Sequence, residues 1–127
     1  MPFPHRHKNI MFHYFCRGVR LITFDEWQKV ELKTAKIISA EDIPGKDKLY
    51  KLGIDLGSEK RTLVAGIKHF YTKEQLEGKT ILVIANLAPA MIAGIESQGM
   101  LLAVKNSEGK YSLVTTDGEA APGTRAE

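Results

Sequence analysis

A chain of 127 residues with 43% hydrophobic and 26% charged positions has the size and balance of one folded, water-compatible domain with a real core. No apolar run approaches the roughly 18 residues that a membrane-crossing helix needs, and a net charge of +3 permits an acidic partner such as RNA without demanding one. The single cysteine, Cys16, excludes an internal disulfide and any multi-cysteine metal site, and it fits a reducing, cytoplasmic setting.

Residues 1–22 (MPFPHRHKNIMFHYFCRGVRLI) differ in character from the rest and read as a tail-like N-terminal extension. Three of the four histidines, His5, His7 and His13, lie here among two prolines and several aromatics. His5 and His7 have the spacing of a weak chelate, but no carboxylate accompanies them, so no metal site is assigned. The short, interrupted apolar stretch makes a poor signal peptide, and Met11 is an alternative start.

Thr23-Phe24-Asp25-Glu26 has the spacing of a capping box and predicts a short helix through Trp27 and Gln28. Phe24 and Trp27 would lie on one side of it. From Lys29 the period changes to two. Val30, Leu32 and Thr34 alternate with Lys29, Glu31 and Lys33, and Ile37, Ile38 and Ala40 continue, which predicts one long curved strand over 29–42. Ile43 to Leu49 is a turn by composition, around Pro44-Gly45. Leu49 to Leu56 alternates again, with Tyr50, Leu52, Ile54 and Leu56 on one face and Lys51, Gly53 and Asp55 on the other. Gly57 to Lys60 turns into a third strand, Arg61 to Ala65, completing a meander.

A second capping box, Thr72-Lys73-Glu74-Gln75, opens a helix that ends at Gly78. Ile81 to Ala85 is an uninterrupted apolar run and reads as a buried fourth strand. Asn86 stops it, and Pro89 cannot donate to a ladder, so the chain leaves the sheet there. After an irregular crossing with joints at Gly94 and Gly99, Met100 to Lys105 forms a fifth strand. Asn106 to Gly109 turns into a last strand, Tyr111 to Thr115, and Pro122-Gly123 marks a final turn. Five or so strands with a helix between the third and fourth describe an all-β protein: a five-stranded OB-fold barrel with short flanking helices. The crossing would hold Ser97 and Met100 beside a sheet face, as a binding site requires. It reads equally as a buried connection whose only duty is to close the fold.

Asn86-Leu87-Ala88-Pro89, Met91, Gly94 and Ser97-Gln98-Gly99-Met100-Leu101 resemble the signature of the tRNA-binding domain found in methionyl-tRNA synthetases, free-standing tRNA-binding proteins and CsaA-type chaperones. The resemblance continues in order through Phe24 with Lys29-Val30-Glu31-Leu32, Asp47-Lys48-Leu49, Asp55-Leu56-Gly57, Arg61-Thr62 with Ala65-Gly66-Ile67, Leu76 to Lys79, and Pro122-Gly123. It implies an OB-fold domain at 23–127 that docks on the outside of tRNA by shape more than sequence, and a homodimer. It also implies that Asn86, Ser97 and Met100 lie at the RNA-facing loop, while Lys33, Lys36, Lys48, Lys51 and Arg61 supply phosphate contacts. Lysines offer sequence-blind charge, and each phosphate they neutralise releases counterions. Taken singly, any of these lysines also reads as a solvated surface residue.

There is a departure from the pattern. Many members carry Lys or Arg where this chain has Ala90, Met91 and Ala93, and each lost cation weakens phosphate attraction by about 1 kcal/mol at low salt. Met91, Ile92 and Met100 could instead line an apolar patch suited to peptides, which keeps a CsaA-like chaperone as the alternative. A scaffold module of a synthetase complex is a second alternative.

No catalytic constellation is present. His69 is the only histidine after residue 22, and there is neither a Gly-rich phosphate loop nor an adenylation motif. The expectation is therefore a non-enzymatic module without cofactor or metal. It would resemble a methionyl-tRNA synthetase beta subunit, with any aminoacylation carried by a partner chain.

Overall fold

Both capping boxes form as their spacing predicts. In the structure, a computed structural model that describes residues 20–127, helix α1 spans Phe24–Gln28 and helix α2 spans Lys73–Leu76. The Glu26 amide donates to the Thr23 hydroxyl at 3.1 Å, and the Thr23 amide donates back to the Glu26 carboxylate at 2.8 Å. Gln75 and Thr72 repeat the exchange at 3.2 and 2.8 Å. Helices of four or five residues are not stable alone. Each here is fixed by its cap, and α2 also by Leu76, which is fully buried against the sheet. The expectations for Cys16, His5, His7 and His13 lie outside the described residues.

Strands β1 (Leu32–Ile43), β2 (Lys46–Asp55), β3 (Lys60–Ala65), β4 (Thr80–Ile84) and β7 (Met100–Leu101) form one antiparallel sheet in the order β3-β2-β1-β4-β7. Its inner face carries the core: Ala35, Ile37, Leu52, Ile54, Leu63, Ile81 and Val83. The alternation read in β2 holds at every position, with Tyr50, Leu52, Ile54 and Leu56 all buried.

Three expectations change. β1 begins at Leu32, and its inward residues are Ala35 and Ile37 rather than the Leu32–Thr34 set. A register shift between Ile37 and Ser39, which a period-two count cannot see, then brings Ala40 inward. Thr34 is buried for another reason: its hydroxyl donates to the Ala121 carbonyl at 2.9 Å and accepts from the Thr124 amide at 3.0 Å. Residues 121–126 thus cover the edge of β1 that β2 leaves open, with further bonds from Thr34 to Thr124 and from Ala126 to Leu32. Lys33 accordingly shares its face with Ala35 and is paired across to the core residue Val83.

The fifth strand is the second change. It breaks at Leu102 into β7, which pairs with β4, and β8 (Ala103–Lys105), which leaves the sheet and pairs with β9 (Tyr111–Leu113). Third, the crossing is not irregular throughout. It contains a hairpin of β5 (Ala90–Ile92) and β6 (Ile95–Ser97). Strands of three residues, two of them alanine-bearing or acidic on the exposed side, leave too little period to detect.

Gly123 and Gly57 mark where the C-terminal segment crosses the β2–β3 turn. Both have positive φ, +86° and +87°, and a Cβ on Gly123 would lie 2.1 Å from the Leu56 carbonyl oxygen. Only glycine fits.

Candidate nucleic-acid interface

The residues of the 86–101 segment are largely engaged in holding the sheet's two ends together. No ladder joins β3 to β7. Instead the Gln98 amide donates to the Thr62 carbonyl at 2.9 Å, and the Thr62 amide donates to the Gln98 side-chain oxygen at 3.1 Å. The Val64 amide donates to the Ser97 hydroxyl at 3.1 Å, which in turn donates to the Gly99 carbonyl at 3.3 Å. Arg61 donates to the carbonyls of Ala85 and Gln98 and pairs with Glu59. Gly99, with φ +127°, packs so closely on β4 that a Cβ would sit 2.9 Å from the Ile84 carbonyl. Asn86 accepts from the Glu31 amide at 2.8 Å and donates to the Lys29 carbonyl, pinning the α1–β1 junction.

Ser97 is 4% exposed. Its hydroxyl satisfies the part-buried Val64 amide, so the side chain acts as a seam, and removing it leaves that amide unpaired. Asn86 and Arg61 are likewise committed to backbone partners, although both border an open groove with Leu87, Ala88, Pro89 and Gln98.

What this framework displays is the β5–β6 hairpin. Ser97 lies opposite Val64 and Gln98 opposite Thr62, so the hairpin runs beside β3 toward Gly66, which abuts Leu49 and Lys48. Its two-residue turn, Ala93-Gly94, has φ values of +53° and +79°, the type I′ signature that matches strand twist. Met91 is 68% exposed, and Leu87, Ile92 and Met100 also face solvent.

The other border of the outer β2–β3 face is basic. The start of β2, just after the Pro44-Gly45 turn, presents exposed Lys46 and Lys48, the Lys68 amide donates to the Lys48 carbonyl at 3.3 Å, and Lys51 stands on the outward side of β2 opposite Val64. Lys68 and Lys73 both reach Asp42, each at 2.9 Å. Hydrogen bonds from Lys73 and then Lys68 hold the Asp42 carboxyl below its ordinary range, and the same bond raises the Lys73 ammonium.

The eight candidates therefore separate. Lys48 is exposed at the start of β2, and Lys51 is half-buried farther along the same strand, on the side away from Tyr50 and Leu52. Arg61, Asn86 and Ser97 form the framework behind the outer β2–β3 face, and Met100 is exposed where β7 joins β4. Lys36 lines a different groove with Gly78, Thr80 and the 119–122 segment, and Lys33 pairs with Glu31 at 3.6 Å. Sequence reasoning missed Lys46, Lys68, Lys73 and Gln98. Gln98 stood inside the signature, whereas no local pattern announces that Lys68 and Lys73 approach the end of β1. Among the described residues no group of three or more metal-ligating side chains is assembled. No helix there is long and apolar enough to cross a membrane.

Residues 32–125 match the family model described as "Putative tRNA binding domain". The chain belongs to this family. Methionine–tRNA ligase of Thermotoga maritima is 53% identical over 104 residues, which are 82% of this chain and 16% of that protein. The Methanocaldococcus jannaschii ligase is 46% identical over 98 residues, 77% of this chain and 15% of that protein. The chain thus spans about a sixth of the length of these curated relatives. Among solved structures, a MetRS-related protein from Pyrococcus horikoshii superposes with a TM-score of 0.80 at 38% identity, covering 86% of this chain and all of that one. The chaperone CsaA from Bacillus anthracis superposes at 0.76 and 25% identity, covering 85% of this chain and all of that one. The all-β, OB-like architecture is shared with these neighbours.

Proposed function

We propose that this domain binds tRNA without catalysing any reaction on it, using the outer β2–β3 face between the β1–β2 turn and the β5–β6 hairpin. The observation that carries this reading is the set of Lys46, Lys48 and Lys51 along β2, the first two exposed and the third half-buried on the outer side, in a chain whose family match spans 32–125. Exposed ammonium groups beside a sheet read phosphate spacing and duplex shape rather than base identity. Arg61, Asn86 and Ser97 act behind this face, keeping the hairpin in register, and Met100 extends its apolar border; Lys33 and Lys36 serve as peripheral charge.

The module works in the cytoplasm beside a methionyl-tRNA synthetase catalytic chain, raising tRNA affinity through added contacts, and as a homodimer it would present two such faces. Any aminoacylation belongs to the partner. Titration of bulk tRNA into the purified protein at about 50 and 200 mM salt tests the core of this. Binding that weakens steeply with salt, and about fivefold in Lys48→Ala at the lower salt, supports it. Absence of binding at low salt refutes it.

A second reading is favoured by one observation. The hairpin exposes Met91 and Ile92, with Leu87 just before it, in the stretch where Ala90, Met91 and Ala93 replace cations of the family pattern, and flexible apolar side chains of this kind suit unfolded polypeptide. Salt-insensitive binding of a model unfolded peptide, lost in Met91→Lys, would move the assignment to a CsaA-like chaperone.

A further inference from the structure

Three side chains from separate elements converge beyond the β1–β2 turn. Asp42 lies near the end of β1, Lys68 in the loop after β3, and Lys73 opens α2. The Lys68 ammonium is 2.9 Å from Asp42 Oδ1 and the Lys73 ammonium is 2.9 Å from Oδ2, so each carboxylate oxygen holds its own cation. Two ammonium groups gripping two oxygens of one anion would fit the two non-bridging oxygens of a phosphodiester equally well. The cluster is open to water: the side chains of Asp42, Lys73 and Lys68 are 50%, 40% and 31% exposed. An exchange of anions there carries little desolvation cost. It is also continuous with the basic face, because the Lys68 backbone is bonded to Lys48 and the groove beside it runs from Asp42 along Gly45 and Lys46.

We propose that Asp42 is an internal stand-in for an RNA phosphate, holding Lys68 and Lys73 as a two-cation clamp and competing with the docking backbone for them. This rests on the tRNA-binding reading. With Asp42 in place the clamp carries a net charge of +1 rather than +2, and its cations are pre-positioned, so the carboxylate lowers affinity while keeping the geometry. Exposed ion pairs of this type are weak, which lets a polyanion displace the carboxylate.

The test is tRNA titration of the full chain over a salt series, comparing Asp42→Asn with Asp47→Asn. Asp47 lines the same groove from the start of β2, makes no ion pair among the described residues, and its substitution adds the same unit of net charge. Expected is about fivefold tighter binding for Asp42→Asn at low salt, a log–log salt slope steeper by one to two, and a clearly smaller change for Asp47→Asn. Lys68→Gln should weaken binding modestly in the parent and by more in the Asp42→Asn background, where it cancels much of the gain, a coupling that independent surface charges do not show. Asp42→Glu should stay near the parent. Thermal melts establish that each variant is folded. Equal effects of Asp42→Asn and Asp47→Asn, or weaker binding by folded Asp42→Asn, overturn the clamp while leaving tRNA binding intact. Loss of binding in the parent and every variant overturns both.

Discussion

The 86–101 segment and the β1–β2 rim border the same sheet face, yet they are built on opposite principles. The first is dense with residues of narrow choice, and its polar members satisfy backbone: Asn86 at Glu31 and Lys29, Ser97 at Val64, Gln98 at Thr62, while Arg61 of β3 bonds back to Ala85. The second carries only the short Asp47-Lys48-Leu49 match, and among the described residues the ion pairs of its lysines are those of Lys68 and Lys73 with Asp42. A sequence signature marks places where geometry admits few residues. Phosphate recognition admits any cation within reach, and so leaves a faint trace.

Substitutions should divide along this line, stability on one side and salt-dependent binding on the other. The largest effect is expected for Gly99→Ala, where positive φ and the Ile84 carbonyl leave no room for a methyl group; a loss of roughly 3 kcal/mol in denaturant unfolding is expected. Ser97→Ala removes the partner of a part-buried amide and should cost about 1 to 2 kcal/mol, while the salt slope of tRNA binding stays put at temperatures where the variant is folded. A Ser97→Ala protein that is fully stable but deaf to tRNA would reverse the assignment of the two regions. Lys51→Ala should do the opposite of Ser97→Ala: an unchanged melt, about fivefold weaker tRNA binding at low salt, and a slope shallower by about one.

Smaller effects refine the picture. Ala93 occupies a left-handed position that suits glycine, so Ala93→Gly should stabilise the fold by about 0.5 kcal/mol, the relief of strain being partly offset by a freer unfolded chain. The smallest effect concerns pH. Asp42 has a depressed carboxyl in the folded state, so its contribution is present above the ordinary value of 3.8 and is lost as pH falls through the lower, folded value. The stability difference between the parent and Asp42→Asn seen at pH 6 should therefore shrink on acidification below 3.8, followed by chemical denaturation across that range.

The fold was legible where local chemistry decides it. Both capping boxes and the alternation of β2 depend on neighbours within a few positions. The bulge after Ile37 was hidden because it changes phase in mid-strand, and Thr34 was misassigned because its burial is supplied by residues 121–124, far along the chain. The site divides in the same way. Lys48 was found through a motif, whereas the Asp42–Lys73 pair joins groups 31 positions apart and depends on how α2 packs against β1.

The stitching of residues 121–126 onto β1 has a consequence for how the domain is made. On the ribosome, the first strand is synthesised with part of one edge bare, and the segment that covers it follows 87 to 90 positions later. The Leu56–Gly57 corner must wait in the same way for Pro122-Gly123 to arrive. Until then the emerging chain carries an open strand edge, the feature by which one nascent polypeptide adheres to another. Residues 121–126 therefore act as a latch, and a stall just before them would leave the β1 edge open.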